Sequence, residues 1–282
     1  MRLARVRIDR TVFLSRLDPD DSADPIAVED SAPGVDALRG LLVSGQDPRT
    51  ASSVADRLPA GSYQLLSPVR APQKVLAIGL NYRDHARESG AELPTSPLVF
   101  AKTPNSIVGP DEAIRWSARE AQEVDYEAEL AVVIGRRANH VSRADALSYV
   151  LGYTCCNDVS ARDVQFADGQ WTRGKSFDTF CPLGPWIVTA DEIPDPQNLA
   201  VRCRLNGELM QDGTTADMVF GVAELISRLS QVMTLEPGDV IPTGTPVGVG
   251  FARTPPVFLR DGDVVEIDVA GIGVLSNPVV VD

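Results

Sequence analysis

Three acids at every second position, Asp125, Glu127 and Glu129, run into an apolar stretch in VDYEAELAVVIG, residues 124–135. Read as one long strand, the segment places all three carboxylates on the same face, because alternate side chains of a strand share a side. Like charges aligned this way repel, and on entering a core they lose hydration at high cost. Glu127 and Glu129 therefore call for a cation between them. Hard oxygen donors suit Mg²⁺, Mn²⁺ or Ca²⁺. The plain alternative is a row of solvated acids on an edge strand.

Other chemistry-bearing residues follow. Asp158, Arg162 and Gln165 in TCCNDVSARDVQ fall at i, i+4 and i+7, the spacing of one helical face. There Asp158 could take a metal while the Arg162 fork grips a substrate's acid group. A surface Asp–Arg pair has the same spacing. Lys175, between Gly174 and Ser176 and near aromatics, could balance a metal–carboxylate cluster and stabilise a developing enolate. An ordinary lysine there would snorkel to solvent. TGTPVGVG, residues 243–250, lacks the ending of a phosphate loop. It is expected to offer backbone N–H groups and the Thr245 hydroxyl to an anionic ligand.

The elements that must position these groups are mostly strands. KVLAIG, PLVFAK, LGYTCC, GPWIVT, VRCRLNGEL and VVEIDVAGIGVLSNPVVV read as strands, with Asn-Gly and Asp-Gly dipeptides at the tight turns. MVFGVAELISRLSQVM is the best helix, with 222, 225, 226, 229 and 232 on one apolar stripe. SRADALSYVLGYT reads as a short amphipathic helix capped by Ser142, and 35–43 and 47–58 as short helices. Residues 17–34 read as a loop holding one short strand, PIAV, and 161–175 as a polar loop. NYRDHARESG reads as a short helix within a mobile loop. Two prolines, Pro68 and Pro72, mark a linker. The expected division is a small N-terminal domain over 1–68 and a catalytic domain over 72–282.

With 282 residues, 44% of them hydrophobic, the chain can build a large core without staples. A net charge of −13 argues against nucleic acid or anionic membrane as partner. No apolar run approaches the roughly 20 residues that span a bilayer. The N-terminus has no secretory pattern, so a cytoplasmic location is expected. The four cysteines, Cys155, Cys156, Cys181 and Cys203, show no CxxC pair and read as buried reduced hydrophobes.

Taken together, IGLNYRDHARESG, PLVFAKTPNSIVGP, VDYEAELAVVIG, GYTCCNDVSARDVQ, TRGKSFDTFCPLGPWIV and the segment from NGELMQDGTT to TGTPVGVG resemble the fumarylacetoacetate hydrolase family, in that family's order, over about residues 72–280. The resemblance implies an α+β, mainly β fold, a mixed β-sandwich roll with few short helices, usually a homodimer. It implies one Mg²⁺ or Mn²⁺ held by Glu127, Glu129 and Asp158, with Asp125 just outside. Arg162, Gln165 and Thr245 match substrate-contacting positions, and Lys175 a catalytic one. His85 and Glu88 match the His–Glu dyad of the acylpyruvate-hydrolysing members, carried on a lid that orders when ligand binds. His140 reads as a turn residue without a role.

The expected activity is hydrolysis of a C–C bond in a small β-diketo acid of the acylpyruvate or fumarylpyruvate type. His85, held by Glu88, would activate water, and the cation and Lys175 would stabilise the enolate. The same scaffold permits oxaloacetate-type decarboxylation or 2-hydroxymuconate-type isomerisation. A non-catalytic keto-acid and metal-binding protein is the remaining alternative.

Overall fold

The computed structural model describes residues 1–29 and 36–282. The fold is mainly β, with two large sheets, a two-stranded ribbon and four α-helices among the described residues. In the large sheet the order is Ala23–Val28, Thr11–Leu17, Arg2–Ile8, Cys181–Thr189, Val150–Asn157, Ala128–Ile134, Val240–Pro242, Val75–Gly79 and Leu98–Lys102. The second sheet orders Glu208–Thr214, Ala200–Leu205, Val264–Val269, Gly273–Val281 and Ile114–Trp116. The first three strands of the chain belong to the large sheet, joined through the pairing of Arg2 with Val188 and Leu3 with Ile187.

Ala128–Ile134 is buried along its whole length. Strands covered on both faces read as continuous apolar runs. Leu130, Val132 and Ile134 pack into the core shared with Val201, Ile267 and Leu275 of the second sheet. Ala131 and Val133 face a separate cluster with Leu3, Leu14 and Leu38. The Asn-Gly hairpin forms as its sequence demands, with Asn206 and Gly207 both at positive φ.

The helices are α1 (Ala37–Val43), α2 (Arg83–Glu88), α3 (Arg162–Asp168) and α4 (Val222–Val232). Helix α4 buries Val222, Leu225, Ile226 and Leu229, but Val232, expected on its stripe, is exposed at the last turn. Residues 47–58 form no helix. Asp47 caps a turn by accepting the Arg49 N–H, and the chain then runs beside Ala23–Val28, with Val54 N–H bonded to Pro25 O and Leu58 bridged to Ala23. Around Ser142 the chain makes a capped turn and one 3-10 turn, Ala146–Tyr149, before the strand starts at Val150. The strand read in 17–34 is longer than PIAV, Ala23–Val28, and residues 30–35 lie outside the described residues.

Candidate active site

The segment expected to be one strand is two. Val124–Asp125 pairs with Ser160–Ala161, and Ala128–Ile134 pairs with Val150–Asn157. The interruption at Tyr126 and Glu127 is bridged by side chains from elsewhere. Asn157 Oδ1 accepts the Glu127 N–H, Gln211 Oε1 accepts the Ala128 N–H, and the Thr245 hydroxyl donates to Ala128 O. Asp125 stays outside the group of acids whose oxygens converge, sharing Arg162 Nη2 with Glu127. Its carboxylate accepts from Arg162 and from the N–H groups of Gly250 and Phe251.

Asp158 joins Glu127 and Glu129 through the strand register, not through a helix. Ala128 lies opposite Asn157, so the next residue reaches Glu127, and Asp158 N–H bonds Glu127 O at 2.9 Å. Helix α3 begins only at Arg162, which corrects the single helical face expected for Asp158, Arg162 and Gln165 and the polar loop expected there. Carboxylate oxygens of Glu127, Glu129 and Asp158 lie within 4.8 Å of one another, and all three residues are buried.

Three buried cations answer these acids. Lys175 Nζ lies 3.0 Å from Glu127 and 2.7 Å from Asp158. Lys102 Nζ lies 2.5 Å from Asp158 Oδ1, and Arg162 Nη2 2.6 Å from Glu127. Glu129 has no ion pair among the described residues and accepts the Gly244 N–H. Burial works against ionisation of Glu127, but Lys175 and Arg162 outweigh it and draw the carboxyl down to about 2. Glu129 is held well above the usual range by burial and by the charges of Asp158 and Glu127. Burial also disfavours the charge on Lys175, yet Asp158 and Glu127 more than offset it and keep the ammonium protonated.

This donor set fits a divalent ion. All three donors are hard carboxylate oxygens, and Glu129 is the one for which the described residues supply no cation. With all four acids ionised, counting Asp125, the three cations leave the cluster short by one positive charge. A divalent ion would leave one net positive charge, which a single substrate carboxylate neutralises.

A cavity of about 240 Å³ opens beside the cluster, lined by Glu127, Arg162, Gln165, Lys175, Thr245 and His85 among others. His85 stands on α2. Asn81 fixes the approach to that helix, donating to Phe220 O and Thr243 O, and Asp217 accepts the Asp84 N–H. His85 Nδ1 lies 3.2 Å from Glu88 Oε2, and Glu88 in turn accepts the Gly248 N–H at 2.9 Å. The dyad read from HARE is thus assembled at the cavity wall.

Three expectations for binding groups change in detail. The glycine-rich loop does present N–H groups to anions, but they are the protein's own: Glu129, Glu88 and Asp125. The Thr245 hydroxyl is occupied, donating to Ala128 O and accepting from Gln211. The Nε–Nη2 edge of Arg162 is taken by Asp125, and its Nη1 donates to Gln165 Oε1. Lys102, Asn81 and Gln211 carry no signal in their local sequence, because each meets its partner across the fold. All four cysteines are buried and free, as read.

Comparison with known proteins agrees with this geometry. Residues 74–280 match the model of the fumarylacetoacetate hydrolase C-terminal domain. The mitochondrial oxaloacetate tautomerase fahd2 of Xenopus laevis is 48% identical over 250 residues, covering 86% of this chain and 78% of that protein. The mitochondrial oxaloacetate tautomerase FAHD2A of Homo sapiens is 50% identical over 226 residues, covering 79% and 71%. The solved structure of fumarylacetoacetate hydrolase from Exiguobacterium antarcticum, 39% identical, superposes with a TM-score of 0.87 over 100% of both chains. That of 2-hydroxyhepta-2,4-diene-1,7-dioate isomerase from Mycobacterium marinum, 40% identical, gives 0.82 over 100% of this chain and 99% of that one. The chain belongs to the fumarylacetoacetate hydrolase family.

Proposed function

We propose that the protein is a metal-dependent tautomerase of oxaloacetate-type 2-oxo acids, shifting a proton between C3 and the C2 oxygen. The observation that carries this reading is the His85–Glu88 dyad at the wall of a cavity whose floor holds Glu127, Lys175 and Arg162. Relatives about half identical to this chain are oxaloacetate tautomerases, which favours proton transfer over the C–C hydrolysis expected from sequence.

Glu127, Glu129 and Asp158 would hold a Mg²⁺ or Mn²⁺ ion, which supplies Lewis-acid stabilisation of charge on substrate oxygens. The rest is done by the chain. Glu88 beside Nδ1 favours the tautomer protonated there and leaves Nε2 to exchange a proton with substrate. When the C3–H proton passes to Nε2, its bonding pair forms the C2–C3 double bond and negative charge moves to the C2 oxygen. The Lys175 ammonium, kept charged by Asp158 and Glu127, stabilises that oxygen until it takes up a proton. In the reverse direction His85 returns the proton to C3.

C–C hydrolysis is the second reading. The same dyad favours it, since a base positioned at the cavity wall can take a proton from water. The deciding experiment follows the enol absorbance of oxaloacetate and the diketone absorbance of acetylpyruvate, with and without Mg²⁺ or Mn²⁺. Metal-dependent acceleration of enol decay alone supports the tautomerase. Loss of acetylpyruvate with release of pyruvate replaces it with the hydrolase, and release of CO₂ from oxaloacetate with the decarboxylase.

A further inference from the structure

The cavity has a charged floor and an aromatic mouth. Two aromatic pairs lead outward from the two lining cations. Lys175 Nζ sits 4.9 Å from the Phe100 ring centre, and Phe100 meets Trp171 edge-on at 5.4 Å. The Arg162 guanidinium sits 4.4 Å from the Phe251 ring centre, and Phe251 meets Phe166 at 5.6 Å. Trp171, Phe166 and Phe251 line the cavity, and Phe166 is 58% exposed, which puts it at the rim. Trp171 is seated against Gly79 so closely that a Cβ there would lie 2.4 Å from its ring. The indole therefore lies flush against the strand end at Gly79.

The lining cations are Arg162 and Lys175, and His85 lines the cavity beside them. Arg162 and Lys175 contact Glu127 at the floor, and His85 is held by Glu88. No lysine or arginine lines the cavity between these groups and the rim among the described residues. Arg173, close in sequence to Trp171, is paired with Asp168. The metal-loaded floor carries one net positive charge, enough for one carboxylate. A seven-carbon dioate reaching from the floor would bring its far carboxylate to Trp171, Phe166 and Phe251, whose rings offer it no cation and displace part of its hydration. The cavity of about 240 Å³ also lies below the roughly 300 Å³ at which ordinary ligand pockets begin.

We propose that this site takes 2-oxo acids that are short or carry an apolar tail, and that Trp171 and Phe166 turn away those with a carboxylate at the far end of a longer chain. The proposal rests on the proposed function and names its substrate class. It separates this chain from the dioate that the relative from Mycobacterium marinum is named for.

The test is calorimetric binding of oxalate, 2-oxoheptanoate and 2-oxoheptanedioate to the Mg²⁺-loaded full chain. The last two differ only at the far end. The expected result is 2-oxoheptanoate binding about tenfold or more tighter than the dioate. Phe166→Arg, at an exposed position, should shift that ratio about tenfold toward the dioate. A wild-type protein that binds the dioate as tightly as the monoacid, or a ratio that Phe166→Arg leaves unmoved, overturns the proposal alone. Failure of oxalate to bind overturns the metal and 2-oxo-acid reading itself, and the proposal with it.

Discussion

Glu88 accepts the Gly248 N–H at 2.9 Å with one oxygen and faces His85 Nδ1 at 3.2 Å with the other. The glycine-rich loop thus holds the acid that holds the base. Glu88→Gln keeps an oxygen for Gly248 but removes the charge that supports an imidazolium. The expected outcome is a kcat lower by roughly 100-fold or more, with KM little changed. An unchanged kcat would mean His85 needs no acid behind it.

Gly248 tests the loop's part in this arrangement. Its φ is +104°, and a Cβ there would lie 2.2 Å from Met210 O, a backbone atom that cannot swing aside. Gly248→Ala should displace the N–H from Glu88, lowering kcat as Glu88→Gln does and costing about 1–3 kcal/mol of stability as well. A variant with wild-type kcat would show that Glu88 is positioned by its own helix.

Lys102 does not line the cavity, yet it shares Asp158 with Lys175 and is 1% exposed. Removing one partner of a buried ion pair costs about 3–5 kcal/mol. Lys102→Met should therefore melt well below the wild-type protein, by about 6 °C or more at roughly 2 °C per kcal/mol. Coincident melting curves would show that Lys175 alone satisfies Asp158.

Glu129 supplies a pH-dependent case. Burial, Asp158 and Glu127 hold its carboxyl well above the usual 4.5, so the folded chain binds this proton more tightly than the unfolded chain. Its contribution is complete below the unfolded value and is lost as pH rises toward the folded one. In metal-free protein Glu129→Gln should thus raise the melting temperature at about pH 7, with little gain at about pH 4. Mg²⁺ should stabilise the wild type and not the variant. No gain near neutrality, or stabilisation by Mg²⁺ retained in Glu129→Gln, would exclude Glu129 as an uncompensated ligand.

The parts of this site that alternate along one strand were legible in the sequence. Glu127 and Glu129 stand out because acids entering an apolar run break its pattern, and the HARE segment shows its dyad at helical spacing. Asp158 was recognisable as a residue but not in its setting. Its i, i+4 spacing to Arg162 suggests a helix, whereas the contact that matters comes from the register of Ala128 opposite Asn157. Lys102 reads as the end of an ordinary strand, PLVFAK, and nothing near Gln211 marks it. Their roles depend on partners 56 and 34 positions away, which no local pattern encodes. The glycine-rich loop reads as a donor of N–H groups to an anionic ligand, whereas the acceptors in the structure are the protein's own Glu88, Glu129 and Asp125, from two other segments.

The most direct test of the central claim is the rate of Mg²⁺-dependent enol-to-keto conversion of oxaloacetate by wild type and His85→Ala at saturating metal. The expected result is acceleration by the wild type that falls by about 10²–10⁴-fold in the variant, the worth of a positioned proton carrier. A variant that converts the enol at the wild-type rate would contradict it, since the proton would then move without His85.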